Sequence, residues 1–225
     1  MAMPRGWRQG GQPVWIFDLD NTLHNASPHI FPHINRAMTA YIQRHLALDE
    51  AAAQALRQDY WHRYGATLLG LIRHHDIDPH HFLRETHDLE VLLPGIVFQR
   101  GVKAMLQRLP GRKIVFSNGP QHYTEAVLEA TGIADCFAAA YSVERVRFRP
   151  KPESHGFRHL FRAEGLNPHR CIMVEDSLPN LATAKRLGLK TVWVSTDSAA
   201  RLRQPAYVDV TLRNILDLPR ALRQL

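Results

Sequence analysis

Val14-Trp15-Ile16-Phe17-Asp18-Leu19-Asp20-Asn21-Thr22-Leu23 is the stretch that decides the fold. Its first four residues are apolar, and a run this short, closed by acids and turn-forming residues, reads as a strand buried on both faces. Three further runs share that build: Ile114 to Phe116 before Ser117, Cys171 to Val174 before Glu175, and Thr191 to Val194 before Ser195. Helical patterns lie between them, which is the signature of an α/β fold with a parallel sheet. Ligands of such sheets sit beyond the carboxyl ends of the strands, where all four polar clusters would emerge. Between the first two strands lie about 100 residues, far beyond the dozen or so that a crossover needs. Apolar residues recur at helical spacing from Ile34 to Leu48, Ala51 to Gly70 and His80 to Leu92. Leu93-Pro94-Gly95 breaks the pattern, and Val97 to Leu109 then reads as a core helix. The expected organisation is a core formed by residues 1–25 and 93–225, with a helical cap inserted at 26–92.

Asp18 and Asp20 leave the strand on alternate positions, so both carboxylates can face one site. Two acids on one side suit a hard cation such as Mg²⁺. They also suit a division of labour, with Asp18 attacking phosphorus while Asp20 moves the proton of the leaving oxygen. Ser117-Asn118-Gly119 offers a hydroxyl and backbone N–H groups to phosphate oxygens. Lys151, stiffened between Pro150 and Pro152, can hold an ammonium against the phosphoryl group, and Glu175-Asp176 adds the acids that a metal site still lacks. Each has a plainer alternative: a turn for Ser117, a solvated charge for Lys151, a helix cap for Glu175 and Asp176. Their joint occurrence at successive strand ends favours the chemical reading.

The formal charge of +7 and a pI near 9.8 raise nucleic acid as a partner. The arginines are spread along the chain, however, and the densest run, Arg145, Arg147, Arg149 and Lys151, adjoins the proposed site, so no nucleic-acid partner is expected. Such a surface also steers small phosphate anions. The fourteen histidines include His74, His75, His80 and His81, whose spacing matches no zinc motif and reads as solvated helix ends. Cys136 and Cys171 read as two buried thiols. No apolar run approaches the ~20 residues of a membrane span, and the first residues lack a signal-peptide core. A cytoplasmic protein with no membrane partner is the expectation.

In order and residue type, the four motifs resemble those of the haloacid dehalogenase (HAD) superfamily phosphatases, and the likeness covers essentially the whole chain. The resemblance implies a HAD-like Rossmannoid core with a mobile helical cap of the C1 type. It implies Asp18 as nucleophile and Mg²⁺ ligand, and Asp20 as general acid/base and as a metal ligand through its backbone carbonyl. Thr22 and Ser117 would position Asp20 and the phosphate, Lys151 would neutralise charge, Asp176 would bind metal directly and Glu175 through water. Dehalogenases of the superfamily lack the second aspartate, so Asp20 argues for phosphate over halide. Further likenesses point to the pyrimidine 5′-nucleotidase branch. They are Asp18 to Leu23, Tyr64-Gly65-Ala66-Thr67-Leu68-Leu69-Gly70-Leu71, His87, Leu93-Pro94-Gly95, the Asn180, Ala184 and Gly188 spacing, and Thr191 to Val194. There Tyr64 would stack on a base and Thr67 hydrogen-bond it, against the plainer reading of a core tyrosine beside a helix-bend glycine. The expected substrate is a UMP- or CMP-like nucleotide. The alternatives are a small phosphorylated metabolite (phosphoglycolate, a sugar phosphate or pyridoxal phosphate), a phosphomutase, and a non-catalytic phosphate-binding protein.

Overall fold

Strand β1 (Val14–Phe17) forms the middle of a six-stranded sheet, with Trp15, Ile16 and Phe17 wholly buried. The computed structural model describes residues 11–197, 199 and 204–225. Residues 1–10, read above as part of the core and as lacking a signal-peptide core, lie outside the described residues. The other strands are β2 (Arg112–Phe116), β3 (Ala139–Tyr141), β4 (Cys171–Glu175), β5 (Lys190–Val194) and β6 (Val210–Leu212). Their order is β3-β2-β1-β4-β5-β6, and every pairing is parallel. The four expected strands are all present. β3 and β6 escaped the sequence reading because three residues are too few to show a period, and their neighbours define them.

Alternation along β1 divides its side chains between two cores. Trp15 and Phe17 pack with Val115, Val174 and Val192 on one face, and Ile16 packs with Ile114, Phe116 and Met173 on the other. Phe17 stands level with Val115 of β2 and Val174 of β4, so these three strands end together. From β1 the chain goes to β2 on one side, while β4 returns on the other, which opens a crevice at the carboxyl end of β1.

The inserted segment folds as α1 (Ile30–Leu46), α2 (Glu50–Tyr64), α3 (Thr67–His75), α4 (Pro79–Thr86) and α5 (Leu89–Leu92). Tyr41, Ile42, Ala53, Tyr60, Leu68, Leu71, Phe82 and Leu83 form a further core, which also takes in Val143 from beyond β3. Ile30, Ile34 and Leu92 instead join the sheet's core, which roots the two ends of the insert on the α/β unit. The chain leaves and returns side by side, with the Asn25 N–H donating to the Val97 carbonyl at 2.8 Å. Two long helices expected from periodicity are each divided. Gly65, at φ 77°, ends α2 by donating its N–H to Trp61, so residues 51–70 hold two helices rather than one. Asp88 caps α5 and separates it from α4. Gly70 lets α3 lie directly on α2, since a Cβ there would come within 2.2 Å of the Tyr60 ring. The helix expected at 97–109 is limited to α6 (Val102–Arg108), because Val97 is held by Asn25. Helices α7 (Gln121–Ala130), α8 (Ser154–Glu164), α9 (Leu178–Arg186) and α10 (Leu218–Ala221) complete the chain. Among the described residues no helix is long and apolar enough to cross a membrane. Cys171 is buried, Cys136 is only half-buried, and both are free thiols.

Candidate active site

Lys151 sits at the centre of the crevice, 1% exposed, with its ammonium donating to Asp18 Oδ1 at 2.6 Å and to Glu175 Oε2 at 2.7 Å. β1 delivers Asp18 and β4 delivers Glu175, and Asp176 follows at the strand's end. Asp18, Glu175 and Asp176 each offer an oxygen within 4.8 Å of the other two. Burial, reinforced by Glu175, pushes the Asp18 carboxyl up to about 7. Burial likewise lifts Glu175 to about 7, with Lys151 opposing and Asp176 adding, and lifts Asp176 to about 6, with Asp18 adding. Burial alone would depress the Lys151 ammonium, but Asp18 and Glu175 raise it well above the usual lysine range. Three crowded acids thus share one cation, and a divalent ion with oxygen ligands would relieve their repulsion. The donor set fits Mg²⁺. Trp193 adds a brace, its indole N–H donating to the Asp176 carbonyl at 2.9 Å.

Asp20 is held apart from those acids. Tyr123 donates its hydroxyl to Asp20 Oδ1 at 2.6 Å, and His24 Nε2 lies 2.9 Å from the same oxygen. Burial, with Asp20 adding to it, raises the Tyr123 phenol far above its usual range, so this hydroxyl keeps its proton and remains a donor. Neither residue was found from sequence. His24 lies one helical turn past Asp20, a weak clue, whereas Tyr123 comes from α7, 103 positions away. Thr22 was expected to position Asp20, but its buried hydroxyl oxygen has no hydrogen-bond partner, and His24 and Tyr123 take that role. Asn21 turns the chain between the two, at φ 58°, and its Oδ1 accepts from the Ala26 and Ser27 N–H groups. His87, buried beside the Tyr123 ring at 5.6 Å, is pushed down to about 4 by that burial and stays neutral.

Ser117, buried at the end of β2, accepts the Gly119 N–H on its Oγ at 2.9 Å, which leaves the hydroxyl proton for an anion. Asn118 is used differently from the expectation. Its side-chain amide donates to the Lys151 carbonyl and accepts the Lys151 N–H, both at 2.8 Å, so it clamps the lysine backbone instead of offering that amide to phosphate. The acids, Lys151, Asn118 and Gly119 line one cleft of about 1230 Å³ whose opposite wall is α2 and α3. Tyr64 and Thr67 also line it, but both are committed elsewhere. Thr67 donates its hydroxyl to the Arg57 carbonyl at 3.0 Å, Tyr64 pairs its hydroxyl with His74 at 2.7 Å, and Arg73 lies over the Tyr64 ring at 4.9 Å.

The histidines expected at solvated helix ends are partly engaged within the insert. His74, His75 and His81 hydrogen-bond the hydroxyls of Tyr64, Tyr60 and Tyr41, and His80 abuts Phe148. Among the described residues no histidine belongs to a metal-capable cluster. In the basic run, Arg145 covers Tyr141, Arg149 pairs with Glu153 and Lys151 is buried, while Arg145, Arg147 and Arg149 are all exposed.

Residues 14–188 match the model of the haloacid dehalogenase-like hydrolase family. A phosphoglycolate phosphatase of Rhodospirillum rubrum is 31% identical over 80% of this chain and 78% of its own. A phosphoglycolate phosphatase of Mesorhizobium japonicum is 26% identical over 88% and 90%. The crystal structure of a HAD phosphatase from Thermococcus onnurineus superposes with a TM-score of 0.67 at 20% identity, covering 94% of this chain and 98% of that one.

Proposed function

The chain belongs to the haloacid dehalogenase-like hydrolase family, and from that premise we propose that it is a Mg²⁺-dependent phosphatase of a small phosphorylated metabolite. The carrying observation is the separation of Asp18, paired with Lys151 among the acids, from Asp20, held by Tyr123 and His24. One carboxylate is thus free to attack while the other handles protons. An oxygen of Asp18 attacks phosphorus, the bond from phosphorus to the ester oxygen breaks, and Asp20 gives that oxygen its proton. Asp20 then takes a proton from water, whose oxygen attacks the aspartyl-phosphate, releasing inorganic phosphate and restoring the Asp18 carboxylate. Lys151 and Ser117 offset charge on the phosphoryl oxygens, joined by the backbone N–H of Asn118, while the Gly119 N–H orients the Ser117 hydroxyl. Asp18, Asp176 and the Asp20 carbonyl would hold Mg²⁺, with Glu175 acting through water, and the ion would supply further positive charge to the phosphoryl group. The helical insert would serve as a cap that excludes bulk water from the aspartyl-phosphate.

The names of the two sequence relatives favour a small metabolite over the pyrimidine nucleotide first expected. The internal bonds of Tyr64 and Thr67 support the same preference. The nucleotidase remains as a second reading because a cleft of about 1230 Å³, with Trp61 and Tyr64 on its wall, has room for a nucleoside. Hydrolysis of p-nitrophenyl phosphate with and without Mg²⁺, by wild type and Asp18→Asn, tests the chemistry. Equal rates for the two proteins would refute it. A panel of phosphoglycolate, sugar phosphates, pyridoxal phosphate, UMP and CMP tests the class, and UMP and CMP leading in kcat/KM would install the second reading.

A further inference from the structure

The cleft wall opposite the acids carries a cation without an acid. Arg57, on α2, lines the cleft, and its Nη1 donates to the neutral Asn35 Oδ1 of α1 at 2.7 Å. Its Nε is buried with no hydrogen-bond partner, and among the described residues its guanidinium meets no carboxylate. The neighbouring cleft arginines differ. Arg63 is paired with Asp59 at 2.8 Å and Arg73 with Glu153 at 3.0 Å, whereas Arg186 is exposed to water and donates to Thr183. Arg57 alone among these four is half-buried and unneutralised, and burial presses its pKa downward with no acid to oppose it.

A guanidinium that has given up part of its hydration without gaining an anion carries a cost, and a bound carboxylate or phosphate would return it through charge-assisted hydrogen bonds. The side chain is prepared for this. Asn35 holds one end of the fork, and the Thr67 hydroxyl on the Arg57 carbonyl fixes the backbone beneath it. Arg57, Trp61 and Tyr64 stand at i, i+4 and i+7, so one helix face presents a cation beside two aromatic rings to the cleft. Trp61 is 57% exposed, a large apolar surface on a wall that otherwise bears charge.

We infer that Arg57, held by Asn35, is a second anion subsite of this cleft, receiving a carboxylate or further phosphate at the end of the substrate remote from the reacting phosphoryl group. This rests on the phosphatase reading and narrows its substrate to esters with two anionic ends. The test measures binding to the Asp18→Asn protein by calorimetry in Mg²⁺, so that turnover is not needed. The ligands are phosphoglycolate, propane-1,3-diol bisphosphate and ethyl phosphate, and the protein is compared with and without Arg57→Gln. The two-ended anions should bind at least about tenfold more tightly than ethyl phosphate, and Arg57→Gln should weaken them by about 10- to 100-fold while leaving ethyl phosphate within about twofold. Arg57→Lys should retain part of the preference. Preference for phosphoglycolate alone would assign the subsite to carboxylate, and preference for the bisphosphate alone to phosphate. Equal binding of all three ligands, or equal weakening of all three by Arg57→Gln, overturns the subsite. Wild type that binds with this preference yet hydrolyses no ester would instead overturn the phosphatase reading.

Discussion

Tyr123 and Lys151 show how single side chains divide the work of this site. Tyr123 and His24 both engage Oδ1 of Asp20, which leaves Oδ2 for the proton that the proposed reaction moves to the leaving oxygen. Tyr123→Phe is therefore expected to lower kcat/KM, which covers the steps up to departure of the leaving group, by about 10-fold or more for alkyl phosphates, whose leaving oxygen needs a proton. It should change p-nitrophenyl phosphate by less than about threefold, since that leaving group departs as an anion. Equal losses on both substrates would mean that Tyr123 acts only in packing. Lys151 neutralises Asp18 and Glu175 at once. Lys151→Met would leave both acids buried without a counter-ion, and urea unfolding should register a loss of about 3–5 kcal/mol at pH 8. A change below about 1 kcal/mol would show that the acids find another partner.

At the level of elements, the turn between α2 and α3 is the contact that matters most for the site. Gly65 occupies φ 77°, and a Cβ there would lie 2.4 Å from Pro152 Cδ and 3.3 Å from the Lys151 carbonyl. The insert thereby touches the same segment that carries the buried lysine, which Asn118 grips from the other side. Gly65→Ala is expected to destabilise the protein by about 1–3 kcal/mol, through a strained backbone and displacement of Pro152. It should also reduce kcat with p-nitrophenyl phosphate. Unchanged thermal stability together with unchanged kcat would show that this contact is dispensable.

Across the whole molecule, the acidic cluster links metal, pH and stability. Asp18 and Glu175 rise from 3.8 and 4.5 to about 7, and Asp176 rises from 3.8 to about 6. The metal-free folded state therefore binds more protons than the unfolded chain between about pH 4 and pH 7, and the cluster's contribution to stability falls as pH rises through that window. Mg²⁺ held by this cluster, as proposed, would require the acids to be ionised, so 5 mM Mg²⁺ should raise Tm by several degrees at pH 8 and by much less at pH 5. Scanning calorimetry at the two pH values checks this, and an equal shift at both would contradict the cluster as the metal's holder.

The four long strands, their parallel pairing and the acids at the ends of β1 and β4 were legible in the amino-acid sequence, because short apolar runs closed by polar residues reflect local burial and need no partner to be seen. Lys151, by contrast, lies ten residues past β3 and not at a strand end as expected. The large helical insert was legible too, from the length between β1 and β2. What only the tertiary structure decided were the commitments of side chains to distant atoms. Tyr123 bonds Asp20 across 103 positions, Asn118 bonds the Lys151 backbone across 33, and Thr67 spends its hydroxyl on Arg57. Residue type and spacing record which groups a chain has, whereas hydrogen bonds are satisfied in space. The partner that claims a donor or acceptor is therefore set by packing rather than by the local pattern.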